Sequence, residues 1–354
     1  MKNYFFALLF GTSFLFLACN HSNTSKNTAT SVATADSTAQ KDTVQQKINQ
    51  LSNQLKTNAN NPALYSQRAN YYSLQKNYLD AMNDLKSAIR LDSTNANYLI
   101  ALSDVYFTIN QTGHSKEMLD KCIALNPKNK AALLKLAELF SYVQKYSQSM
   151  TYIDQVLQLD IHNSQAYFLK GMNFKLTHDT TNALSSLQTA VEQNPDYYDA
   201  YVELGVLYEA KKSKSALDYY NDALRVKPND EIVLYDIGKY YQDAEDWNNA
   251  VETYTKLLQL YPNYKNAQFN LGVIHLLNLK VYDIAVKNFT DAIKLDSAYY
   301  QAYYGRGLSY DAMKNYNQAM IDFQRVSQIN PNYKPVYESM KKIVAEIRNA
   351  GGNK

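Results

Sequence analysis

Apolar residues return every three or four positions along most of this chain, the spacing that lines one face of a helix. The pattern is clearest from Tyr300 to Tyr333. There Tyr303, Gly307, Tyr310, Tyr316, Ala319, Phe323, Val326 and Pro331 stand at offsets that recur upstream. Aligned on Pro331, the earlier copies carry Ser93, Pro127, Ile161, Pro195, Pro228, Pro262 and Ser297, in steps of 34, 34, 34, 33, 34, 35 and 34 residues. Self-similarity at such a period means stacked units, not one enlarged core. A polar break divides each unit into two helical stretches, and the proline, which lacks an N–H, stops the second. The two off-length steps are expected in the turns between paired helices, around Lys211–Ser215 and Leu279–Tyr282, because loops tolerate insertions and helix registers do not.

The residue types within a unit repeat as well. A large residue holds the fourth position, Leu the seventh and a small residue the eighth. An aromatic follows at the eleventh, Ala at the twentieth and twenty-seventh, and a bulky residue at the twenty-fourth. The fifth unit shows this with Tyr201, Leu204, Gly205, Tyr208, Ala216, Tyr220, Ala223 and Pro228. Small residues let two helices cross closely, and bulky ones fill the gaps beside them. Units two and three depart from the pattern, with Ser115 and Ser149 in place of Ala, and the seventh has His275 where an aromatic is usual.

This pattern resembles the tetratricopeptide repeat (TPR). The resemblance covers residues 62–333 and implies an all-α fold, a right-handed superhelical solenoid of about eight helix-turn-helix units. Before it, Val44, Ile48, Leu51 and Leu55 mark an N-terminal capping helix within 43–61. After it, Val336, Met340, Ile343, Val344 and Ile347 mark a C-terminal capping helix and tail over 334–354.

Composition narrows the function classes. A net charge of +3 with only 19% charged residues gives no electrostatic basis for nucleic-acid binding. Ten glycines and seven prolines suit a helical chain. The cysteines, Cys19 and Cys122, stand too far apart to suggest a disulfide framework. Cys122 falls at the twenty-seventh position and is expected to be a buried, inert thiol. The five histidines are scattered without metal-ligand spacing, and there is no phosphate loop or nucleophile elbow. No catalytic residue, metal or cofactor is expected, and the chain does not read as an enzyme. Of the 32 tyrosines, those at the eleventh and seventeenth positions read as packing.

Residues 1–18 read as a signal segment: Lys2 precedes an apolar run too short to span a bilayer. Phe16-Leu17-Ala18-Cys19 resembles the bacterial lipobox, which implies cleavage before Cys19 and lipidation of its thiol. Residues 19–42, rich in Ser, Thr, Asn and Ala, read as a flexible tether. The expected location is the bacterial cell envelope, at the outer membrane facing the periplasm, with the lipid as the only membrane contact.

The TPR resemblance also implies a groove lined chiefly by the second, fifth, ninth and twelfth positions of each first helix, and the fifth and ninth can be named unit by unit. In the early units these are Ser66, Asn70, Ile100, Asp104, Leu134 and Glu138, a mildly acidic mixture. From the fourth unit onward they are Phe168, Met172, Val202, Val206, Tyr235, Lys239, Phe269, Val273, Tyr304 and Leu308, an apolar stripe interrupted by Lys239. The successive Lys and Asn residues of a TPR clamp for a C-terminal carboxylate are absent from these positions. An apolar stripe at these positions implies either a bound segment of a protein or peptide partner, or residues buried against neighbouring units and covered by the C-terminal helix. The expected role is a non-catalytic scaffold; the alternative is a ligand- or glycan-sensing protein using aromatic surfaces. Partner identity and oligomeric state stay open.

Overall fold

A computed structural model describes the backbone of residues 32–351 and the side chains of Thr43 to Arg348. The signal segment and Cys19 lie outside the described residues. Among those described there are eighteen α-helices, one π-helical turn and no strand. The fold is an all-α helical repeat.

The chain divides into two compact units at Gln193/Asn194. In the first, α1 (Val32–Thr57) precedes four hairpins: α2 (Pro62–Leu74) with α3 (Tyr78–Leu91), α4 (Ala96–Thr108) with α5 (Thr112–Leu125), α6 (Lys130–Tyr142) with α7 (Tyr146–Leu159), and α8 (Ser164–Leu176) with α9 (Thr180–Gln193). The second holds α10 (Tyr198–Ala210) with α11 (Ser215–Val226), and α12 (Glu231–Asp243) with α13 (Trp247–Leu260). It continues with α14 (Lys265–Val273), extended by the π turn Ile274–Asn278, against α15 (Tyr282–Leu295). Then come α16 (Tyr300–Ala312) with α17 (Tyr316–Ile329), and finally α18 (Lys334–Gly351). Helix α1 starts at Val32, inside the stretch read as tether. No Gly or Pro interrupts Val32–Thr57, and buried Ile48, Leu51 and Leu55 anchor its later turns.

Each hairpin closes on a tight turn of one kind. A non-glycine residue adopts the left-handed region at its tip: Lys76, Asn110, Gln144, His178, Lys212, Glu245, Lys280 and Lys314, with φ between 54° and 65°. The next N–H then reaches a carbonyl five residues back, as Asn315 N–H does to Tyr310 O (2.8 Å), and recovers an otherwise orphaned helix-end group. The 33-residue repeat loses its residue beside this turn, where α11 begins late at Ser215, as expected. The 35-residue repeat differs from expectation. Its extra residue is taken up before the turn, in the π turn, so that Val281 N–H reaches His275 O at 2.8 Å, six residues back. His275 is buried and its Nδ1 lies 2.8 Å from Leu271 O.

The core follows the repeat. Ala81, Ala183, Ala216, Ala250, Ala285 and Ala319 are fully buried at the twentieth position. At the eighth position of the later repeats, glycine admits a neighbouring bulky side chain. A Cβ on Gly238 would stand 2.6 Å from the Tyr254 ring, and one on Gly307 would stand 2.6 Å from Phe323. Ser149, which broke the sequence pattern, is a buried polar node. It meets Ser141 Oγ and Asn173 Nδ2 at 2.8 Å each and donates to Ala137 O at 2.8 Å, so its polarity is satisfied.

Candidate functional site

The first helices of the hairpins carry the predicted groove positions, and none of the ten late ones is fully exposed. Phe168 and Met172 on α8 are 6% and 3% accessible, and so offer no surface to a partner. Val202, Val206, Tyr235, Lys239, Phe269, Val273, Tyr304 and Leu308, all in the second unit, are half-buried. The candidate site is therefore confined to α10, α12, α14 and α16.

Along these helices the fifth-position aromatics are each backed by a tyrosine that immediately precedes the next first helix. Tyr235 packs on Tyr264 with centroids 5.3 Å apart, Phe269 on Tyr299 at 5.0 Å, and Tyr304 on Tyr333 at 5.1 Å. Tyr264 and Tyr299 occupy helix N-cap positions. In the first unit the same position is Asn: Asn61, Asn95, Asn129 and Asn163 each accept a hydrogen bond from a helix-start N–H. Tyr264 and Tyr299 make no such side-chain bond. At α14 and α16 the second unit thus gives up cap bonds for ring contacts worth about 0.5–1.5 kcal/mol each beyond their burial, while Asp230 keeps its cap on α12. Sequence reading missed this pairing, although Tyr197, Tyr264, Tyr299 and Tyr333 recur at the last position of their repeats.

Polar groups complete the face. Lys239 on α12 donates to Glu209 Oε1 on α10 at 2.7 Å and to Asp243 Oδ2 at 2.8 Å. Burial works against its charge, but the two carboxylates prevail and hold its ammonium above the ordinary range. It is not free to receive an anion. Tyr220 takes the other oxygen of Glu209 at 2.7 Å. Asn270 on α14 donates to Tyr254 Oη (2.9 Å) and Tyr235 Oη (3.3 Å), tying α14 to the preceding hairpin. Asp236, beside Lys239, behaves differently. Burial, then the charge of Glu209, pushes its carboxyl up to about 7 against the pull of Lys239.

At the far end, Tyr304 and Leu308 lie against the C-terminal helix. Tyr304 and Ser339 hydroxyls are 3.2 Å apart, and Tyr304 and Leu308 pack in the cluster around Phe323, Val336 and Ile343. Helix α18 thus covers part of the predicted stripe.

The first unit has its own lysine between carboxylates. Lys135 on α6 lies 3.1 Å from Asp104 on α4 and 3.4 Å from Glu138, which also accepts from Gln165 on α8 (2.8 Å). Burial raises both carboxyls, with Lys135 opposing. Among the described residues no group of His, Cys, Asp or Glu is placed to hold a metal, and no helix is long and apolar enough to cross a membrane. Cys122 is buried, and burial raises its thiol.

Comparison with known proteins places repeats of one family on this chain. Tetratricopeptide repeat profiles match residues 96–129, 177–231, 233–264 and 300–333. The chain carries tetratricopeptide repeats. It is 25% identical over 43% of its length to anaphase-promoting complex subunit 3 of Schizosaccharomyces pombe, covering 23% of that protein. It is 26% identical over 59% of its length to the peroxisomal targeting signal receptor of Candida albicans, covering 37% of that one. The chain therefore spans well under half of either relative. The C-terminal part of a TPR repeat-containing protein from Cytophaga hutchinsonii shares the fold, with TM-score 0.60 and 16% identity over 69% of this chain and 98% of that one.

Proposed function

We propose that this tetratricopeptide-repeat chain is a non-catalytic scaffold that holds a segment of a protein partner against the first-helix face of its second unit. The observation that carries this reading is the row of half-buried apolar side chains on α10, α12 and α14. Relatives whose names describe assembly subunits and targeting-signal receptors support the same class of role. Substituting Val206→Glu on the half-buried face should abolish crosslinked capture of the partner while helical content and thermal midpoint stay unchanged. Undiminished capture by that variant would remove the face from the proposal.

The chain is further proposed to be a lipoprotein of the bacterial envelope, anchored at Cys19 at the outer membrane and facing the periplasm. The lipobox-like Phe16-Leu17-Ala18-Cys19 supports this. An anchor of two or more acyl chains would hold stably, since each buried CH₂ adds about 0.8 kcal/mol. Metabolic labelling with palmitate should disappear in Cys19→Ser; label retained there would overturn the anchor.

A further inference from the structure

We infer that the face formed by α10, α12 and α14 accepts a basic partner segment, one that pairs a lysine or arginine with aliphatic side chains. This deepens the scaffold reading and rests on it. Two features of the face converge. The first is its charge. Helix α10 carries Asp199, Glu203 and Glu209 and no basic residue, while α12 carries Glu231, Asp236 and Asp243 against Lys239 alone. Over the three helices six carboxylates thus meet two ammoniums, Lys239 and the Lys265 that pairs with Asp296 at 2.7 Å, in a chain whose net charge is +3. Such a local reversal of sign attracts and orients a cationic segment.

The second feature is how those charges are already used. Lys239 is consumed by Glu209 and Asp243, and Tyr220 donates to the remaining oxygen of Glu209. No side-chain hydrogen bond or ion pair engages Asp236 among the described residues, although it is half-buried and lies beside them. An incoming ammonium or guanidinium would relieve the repulsion between Asp236 and Glu209. Val202 and Val206 on one side, with Tyr235 and Phe269 on the other, supply half-buried apolar contact for the aliphatic part of the same segment. An acidic segment would meet repulsion at Asp236 and find Lys239 occupied.

The test uses the full chain and three fluorescein-labelled peptides with identical leucines and alanines, bearing lysine, glutamine or glutamate at the same two positions. Binding is read by fluorescence anisotropy at low and high salt. The lysine peptide is expected to bind about tenfold or more tightly than the glutamine peptide, with the advantage shrinking at high salt. Asp236→Asn should reduce that advantage while leaving binding of the glutamine peptide in place. Val206→Glu should weaken both the lysine and the glutamine peptides. Equal binding of lysine and glutamine peptides, both lost in Val206→Glu, would overturn the basic partner yet keep the face. Lysine-peptide binding untouched by either substitution, or no binding of any peptide, would overturn the face along with it. A concentration-dependent dimer that Val206→Glu abolishes would assign the face to a second copy, which also overturns the proposal. Circular dichroism of each variant confirms that the fold survives.

Discussion

Gly205 sits where the Tyr220 ring presses against the α10 backbone, so that an added Cβ would overlap the ring edge at Cδ1 and Cε1. Tyr220 is fully buried and held at its hydroxyl by Glu209, so it has little room to yield. Gly205→Ala should therefore cost about 1–3 kcal/mol in urea unfolding through overpacking; a neutral result would mean that the ring has space to move. Asp236 offers a second residue-scale expectation. Its folded carboxyl titrates near 7, against 3.8 ordinarily, so between those values the folded state keeps a proton that the unfolded chain has released. Stability contributed by that proton is present at low pH and lost as pH rises through the window. Asp236→Asn should raise the thermal midpoint over wild type at about pH 8 and show no such gain at about pH 4. An equal shift at both pH values would contradict the assigned titration.

At the scale of helices and turns, the left-handed residue closing every hairpin is never glycine. A side chain there strains the backbone by about 1–2 kcal/mol, part of which glycine would return in greater unfolded-state freedom. Lys314→Gly, on an exposed turn, is expected to stabilise by a few tenths to about 1 kcal/mol in chemical unfolding. Destabilisation would show that the lysine side chain contributes more than its backbone costs. The first and last hairpins share another device. Arg68 pairs bidentately with Asp84, and Arg306 with Asp322, each with two contacts of 2.7–2.8 Å. The third contact reaches a hydroxyl on the preceding helix, Ser52 in one case and Thr290 in the other. Asp322 is 2% accessible, so Asp322→Ala leaves a half-buried guanidinium without its carboxylate, held only by Thr290, and should cost about 3 kcal/mol. Replacing both partners, as in Arg306→Met with Asp322→Leu, should recover much of that loss; a double variant as unstable as the single would refute the desolvation account.

For the whole molecule, the division at Gln193/Asn194 gives two bodies that each hold their own core clusters. In a repeat array stability is close to a sum of local and nearest-neighbour terms, so long arrays lose all-or-none behaviour. Calorimetry should accordingly give an unfolding enthalpy larger than the van't Hoff value. Agreement of the two would show one cooperative unit.

Much of this was legible from the order of residues alone. Helical periodicity and the 34-residue register placed the hairpins, because small and bulky residues must alternate wherever two helices cross. Tyr303, Gly307 and Phe323 were readable as framework for that reason. The position of the missing residue before Ala216 was readable too, since a shortened turn spares both helix registers. Tertiary structure decided what periodicity cannot express. A fifth- or ninth-position residue looks the same in sequence whether its neighbours cover it or not, yet Phe168 and Met172 are closed off while Val202 and Val206 remain half-open. Arg306 replaces an expected apolar residue, and only the fold supplies Asp322 and Thr290 to satisfy it. Lys239 broke the apolar stripe in sequence and is neutralised in space by Glu209, thirty residues before it. Burial and charge pairing are properties of what a neighbouring helix brings, and no local pattern of residues contains that neighbour.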